Sequence, residues 1–218
     1  MNPVIAIDGP SASGKSTVAR RVAARLGFTY VDTGAMYRAV TWRLLHEGID
    51  PSNADAVADF ARRMDFRTII HEGATRLECN GPVSADDLRS PEVSSAVALV
   101  ARIPAVRERL VAEQRGLGPR APLVMEGRDI GSVVFPDTPH KFYLDASPEV
   151  RASRRQLQGE RDAIDRRDNI DRSRSVAPLR IADDARVIDS SSLAIDEVVD
   201  RVIALASAAG LGPIPPSR

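Results

Sequence analysis

Near its N-terminus the chain reads Gly9-Pro10-Ser11-Ala12-Ser13-Gly14-Lys15-Ser16, followed by Thr17. Two glycines, then a lysine and a hydroxyl residue, are the parts of a cradle for phosphate. Glycine lets the backbone curl until successive N–H groups point at one anion. A helix starting near Lys15 adds the positive end of its dipole. Lys15 reaches the outer phosphates as a point charge, and Ser16 offers a hydroxyl to a Mg²⁺ that bridges phosphate oxygens. Residues Gly9, Pro10, Ser11, Ala12, Ser13, Gly14, Lys15, Ser16 and Thr17 are therefore the expected segment for the phosphates of a nucleoside triphosphate, ATP in a kinase, with Ser16 as metal ligand. Asp8 could partner the metal or the helix, or could merely end a strand.

Such a loop functions only between a strand and a helix, and the sequence supplies both. Val4 to Asp8 is an apolar run of the kind found in buried parallel strands. Val18, Val22 and Leu26 then recur at helical spacing, and Gly27 closes the helix. Among 30 basic residues only Lys15 and Lys141 are lysines, and one of them stands where the loop needs a compact ammonium.

The rest of the chain alternates short strands with helices. Strands are predicted near residues 28–32, 123–126, 141–144 and 186–188. Helices are predicted from about Met36 to His46, from a cap at Ser52 or Asn53 to about Met64, and after Pro91 and Pro104. Another follows the Ser147-Pro148-Glu149 start signal, and a last one follows Ser191 or Ser192. In the last, Ile195, Val198, Val199, Val202 and Leu205 should share a buried face. This rhythm predicts an α/β protein with a parallel sheet covered on both faces. Residues 51–103 break it with β-rich runs at Phe66–Ile70 and Thr75–Cys79 and an Asn80-Gly81 turn signal, so they read as an insertion carrying a small antiparallel sheet. Residues from Gln158 to Arg174 are densely charged and poor in apolar side chains.

Formal net charge is zero at 218 residues, so no basic field points to nucleic acid. No apolar run is long enough to span a bilayer, no signal peptide is evident, and the single cysteine, Cys79, suits a reducing cytoplasm as a passive strand residue. His46, His71 and His140 show no ligand spacing. The phosphate loop alone leaves kinases, motors and switches open. A guanine-reading Asn-Lys-x-Asp string is absent, and an Arg-rich charged segment suits a small-molecule kinase better than a switch.

Four more stretches narrow the reading: Asp32-Thr33-Gly34-Ala35-Met36-Tyr37-Arg38, Ile103-Pro104-Ala105-Val106-Arg107, Glu126-Gly127-Arg128-Asp129-Ile130-Gly131, and Arg167-Asp168-Asn169-Ile170-Asp171-Arg172-Ser173-Arg174. With the phosphate loop they make the chain closely resemble the bacterial cytidylate kinases from Val4 to about Leu205. The resemblance implies a P-loop NTPase fold of adenylate-kinase-like type. Its parallel five-stranded sheet, flanked by helices, would occupy residues 1–50, 104–153 and 175–210. An α+β NMP-binding insertion would take residues 51–103, a short lid 154–174 and a loose tail 211–218.

It also implies γ-phosphoryl transfer from ATP to CMP or dCMP with Mg²⁺; from its size and the lack of a long heptad pattern the chain is expected to act as a monomer, and its charge and apolar runs point to neither nucleic acid nor membrane. Another acceptor such as UMP is the alternative. By motif position, Thr33, Arg38 and Arg128 would hold the CMP phosphate, and Arg107 and Asp129 would face the cytosine. Arg167, Asp171 and Arg174 would reach the sugar and base side. Lys15, Arg128 and Arg154 would be catalytic, with Arg155 near Arg154. As plain residues, Arg38 could be a surface charge and Arg107 could pair with Glu108 or Glu113. Where the family commonly places a nucleoside-holding serine, this chain has Ala98.

Overall fold

The computed structural model describes residues 2–157 and 180–212. The chain starts with β1 (Val4–Asp8), α1 (Lys15–Leu26), β2 (Thr29–Asp32) and α2 (Thr33–His46). It continues through α3 (Ala54–Arg63), the hairpin β3 (Phe66–His71) and β4 (Ala74–Cys79), then α4 (Pro91–Val100) and α5 (Pro104–Leu117). It returns to β5 (Leu123–Gly127), a π-type turn at Ile130–Val134, β6 (His140–Asp145) and α6 (Pro148–Leu157), and ends with β7 (Arg186–Asp189) and α7 (Ile195–Ala208).

Five strands form one parallel sheet in the order β2-β5-β1-β6-β7. All five residues of β1 are buried, as a central strand covered on both faces must be. The period of two divides them. Val4 and Ala6 join Leu123 and Met125 against α2 and α5, whereas Ile5 and Ile7 join Val124 against α1 and α7. Register aligns the carboxyl ends: Asp8 lies opposite Gly127 and Tyr143, and Asp32 lies opposite Glu126. Ligands of such sheets bind at this edge, where strand order reverses direction.

Three local differences from the sequence expectation have physical causes. Helix α2 starts at Thr33 rather than Met36, because the Asp32 carboxylate accepts the Ala35 N–H at 2.9 Å and caps the first turn. The hairpin turns at Glu72-Gly73, with φ of 49° and 74°. Asn80-Gly81 makes a second turn that leads only to an isolated bridge between Glu78 and Pro82. Ile195, in the first turn of α7, is 41% exposed, and the buried stripe starts at Val198.

The hairpin is separate from the main sheet, yet Phe60, Phe66, Leu77 and Cys79 bury themselves in the same apolar cluster as α2 and α5. Burial pushes the Cys79 thiol up to about 12, so it is no nucleophile at neutral pH. Among the described residues no helix is long and apolar enough to cross a membrane.

Candidate functional site

Beyond β1 the backbone makes the curl that the sequence requires. Gly9 admits no side chain, since a Cβ there would lie 2.2 Å from the Leu144 carbonyl oxygen. Ala12 and Gly14 both have positive φ, 60° and 88°, and α1 begins immediately afterwards at Lys15. Lys15 is buried, its Nζ donates to the Pro10 carbonyl at 3.2 Å, and it stands 4.0 Å from the Glu126 carboxylate. The ammonium is thus held across the mouth of the loop, where outer phosphates of a bound nucleotide would lie.

The end of β5 forms the opposite wall. Glu126 is buried, receives the Tyr30 hydroxyl at 3.2 Å and is hydrogen-bonded by Ser16. Burial and the neighbouring Asp32 carboxylate raise its pKa, and Lys15 opposes that shift. The Thr33 hydroxyl donates to the Glu126 carbonyl at 2.7 Å. Gly127 must be glycine here: a Cβ would meet Thr33 Oγ1 at 2.6 Å and Ile130 Cδ1 at 2.7 Å. Arg128 and Asp129 follow and turn into a shared cleft of about 1350 Å³ that also includes Lys15, Thr33, Arg38 and Arg107.

Inside this cleft Arg107 and Asp129, both buried, form an ion pair between Arg107 Nη2 and Asp129 Oδ2. Arg107 comes from the first turn of α5 and does not pair along its own helix; Arg109 takes Glu113 instead. The Arg107 guanidinium lies 5.8 Å from the Tyr37 ring centroid, and its Nε finds no acceptor among the described residues. A buried donor without a partner costs about 1 to 3 kcal/mol, so the pair is suited to a ligand that supplies an acceptor. Arg38 is half-buried on α2, with its guanidinium beside Gly34.

The arginines of α6 close the loop from the other side. Arg154 donates to the Ser13 carbonyl at 3.2 Å, to the Ser190 hydroxyl at 3.1 Å and to the Ser190 carbonyl at 2.8 Å. Arg155 reaches the Ser11 hydroxyl at 3.0 Å and Arg151 the Ser11 carbonyl at 3.3 Å. Spacing of three and four residues puts all three on one helical face against the phosphate loop.

Asp8 is buried between the two walls, and its carboxylate accepts the Ile130 and Gly131 N–H groups at 2.8 Å each. Burial raises its pKa to about 7 despite those two bonds. The unfolded carboxyl titrates at its ordinary value of 3.8, so between 3.8 and about 7 the folded chain holds the extra proton. Its contribution to stability is complete below 3.8 and drains away as pH rises through about 7. Urea unfolding should therefore show the advantage of wild type over Asp8→Asn shrinking by roughly 1 to 3 kcal/mol from about pH 5 to about pH 8. A constant difference would show that the carboxyl is ionised throughout.

Lys15, Ser16, Thr33, Arg38, Arg107, Arg128 and Asp129 thus share one cleft, and Arg154 touches the phosphate loop from behind. Arg167, Asp171 and Arg174 lie outside the described residues. Ala98 lines the cleft, and so does Ser94, one helical turn earlier on α4. Glu126, Tyr30, Arg151 and Ser190 were not singled out as site residues in the sequence. Glu126 had a usable signal, being the carboxylate at the end of the strand that neighbours β1. Ser190 had none, because only folding brings β7 beside the loop.

Fold and site together define a P-loop kinase, with a phosphate cradle and a charged cleft at one sheet edge. The sequence model of the family described as Cytidylate kinase matches residues 5–208. The chain belongs to the cytidylate kinase family. The cytidylate kinase of Desulfitobacterium hafniense (strain Y51) is 44% identical over 215 residues, covering 94% of this chain and 92% of that protein. That of Nitratidesulfovibrio vulgaris (strain Hildenborough) is 46% identical over 209 residues, covering 89% and 88%. Among solved structures, the shikimate kinase from Acinetobacter baumannii in complex with shikimate covers 97% of each chain with a TM-score of 0.50 at 15% identity, a likeness of fold alone.

Proposed function

We infer that the chain transfers the γ-phosphoryl group of ATP to CMP and dCMP, yielding ADP with CDP or dCDP. A phosphate oxygen of the acceptor attacks the γ-phosphorus in line with the leaving ADP oxygen, and no phospho-enzyme forms. The acceptor phosphate is already ionised, so no general base is needed. Lys15 and the backbone N–H groups of Gly9 to Thr17, Pro10 excepted, hold the ATP phosphates. Thr33, Arg38 and Arg128 hold the CMP phosphate, and Arg154, braced on the phosphate loop, adds positive charge near the transfer. Residues 51–103 serve as the NMP-binding insertion.

Mg²⁺ fits the donor set. Ser16 is hydrogen-bonded to buried Glu126 with Asp32 nearby, a group of hard oxygens of the kind that cation prefers. Ser16 would hold the ion, which when bound offsets the charge of the β- and γ-phosphates.

The observation that carries the choice of acceptor is the buried Arg107–Asp129 pair. Cytosine presents an amino donor beside the N3 and O2 acceptors, matching a carboxylate acceptor and a guanidinium donor. Uracil reverses the pattern at its 4-oxo and N3–H positions. With ATP and Mg²⁺, ADP release should be at least about tenfold faster with CMP or dCMP than with UMP, AMP or dTMP at equal concentration. A panel in which UMP matches CMP would replace this reading with a broader pyrimidine kinase.

A further inference from the structure

Asp8 takes no part in the transfer as proposed, yet its carboxylate ties the end of β1, from which the phosphate loop springs, to the wall that follows β5. It ends β1, and the phosphate loop starts at the next residue. Its two oxygens take successive N–H groups, Ile130 and Gly131, 122 and 123 residues further along the chain. Those amides open the π-type turn directly after Arg128 and Asp129. The first amides of a helical turn have no acceptor of their own, so without Asp8 both would be buried and unpaired.

Asp129 itself has φ of −149° and ψ of 25°, outside both regular strand and helix, so no ladder fixes its backbone. On its far side the turn is pressed against β6, where a Cβ on Gly131 would meet the Lys141 stem at 3.2 Å. The Lys141 ammonium is itself engaged by Asp184 at 2.7 Å and the Pro136 carbonyl. Arg128 and Asp129 both act electrostatically on Asp8. A bidentate clamp of this kind fixes both the height and the rotation of the peptide units that aim Arg128 and Asp129 into the cleft.

We propose that Asp8 is a positioning residue for the acceptor nucleotide, registering Arg128 and Asp129 against the phosphate loop so that acceptor and donor phosphates meet in line. It touches neither substrate. The proposal rests on the reading that Asp129 faces the acceptor base.

At about pH 8, where the Asp8 carboxyl is ionised, Asp8→Asn keeps the shape but turns one acceptor into a donor facing an N–H. The variant should raise the KM for CMP about tenfold or more and change the KM for ATP less than about threefold. In an Asp129→Asn background the same substitution should add only about threefold to the CMP KM, the part that acts through Arg128. Equal rises in both KM values, or full additivity of the two substitutions, overturn the proposal while leaving the base-reading assignment intact. If Asp129→Asn alone leaves the CMP KM unchanged, that assignment fails and the proposal fails with it. Should Asp8→Asn not fold, Asp8→Ser, which keeps one smaller acceptor, is put through the same cycle with the same expected split.

Discussion

Lys15→Met lowers kcat by about 1000-fold or more while the protein keeps its helical circular dichroism and unfolds cooperatively. The size follows from where the ammonium sits. It is buried, anchored by one carbonyl of its own loop and only 4.0 Å from Glu126, so its charge is fixed before any nucleotide arrives. A preorganised charge in a water-poor site is worth far more to a transferring phosphoryl group than the same charge in water. The fold tolerates its loss because Glu126 keeps the Tyr30 hydroxyl and Ser16 as hydrogen-bond partners, and burial already favours its neutral form. Lys15→Arg should recover only a small part of the rate, since a planar fork does not fit a pocket built for a compact cation. Single-turnover measurements under saturating ATP separate the chemical step from binding. A decrease below about tenfold would remove Lys15 from the transfer.

The phosphate loop was legible because it is local. Its glycines, its lysine and the flanking periodicities are all contiguous, and the backbone conformation they require is set within a few residues. The cleft was legible only through motifs, because Arg107 and Asp129 come from α5 and the end of β5 and meet only once the sheet has formed. As a plain residue, Arg107 offered a competing reading, an ion pair with Glu108 or Glu113 of its own helix. Spacing of one and six residues keeps both glutamates off its face, and Arg109 takes Glu113 at a spacing of four. The hairpin reversal at Glu72-Gly73 falls in the gap between the β-rich runs Phe66–Ile70 and Thr75–Cys79 and was legible there. That Asn80-Gly81 leads only to an isolated bridge between Glu78 and Pro82 was not, because nothing local tells a bridge from a strand. Contacts made by Ser190 and by Asp8 join elements far apart in sequence, and no spacing rule reaches them.

Selectivity for the acceptor base should respond most to the carboxylate. Asp129→Asn is expected to cut kcat/KM for CMP by about 10- to 100-fold and to bring the CMP to UMP preference close to parity. In the present structure the carboxylate and the Arg107 guanidinium neutralise each other in a site from which water is largely removed. Asparagine keeps the volume and one oxygen but presents an amino donor. That donor opposes the cytosine amine and suits the uracil 4-oxo group, so cytosine loses a favourable contact while uracil gains one. The reverse experiment is less clean, because Arg107→Met would remove the guanidinium that neutralises a buried carboxylate and destabilise the fold by about 3 to 5 kcal/mol. The combined Arg107→Met, Asp129→Leu chain removes that penalty. It should regain much of the lost stability, measured by thermal unfolding, while still failing to prefer CMP. Recovery of stability together with an intact CMP preference would show that the pair holds the fold and that other side chains read the base.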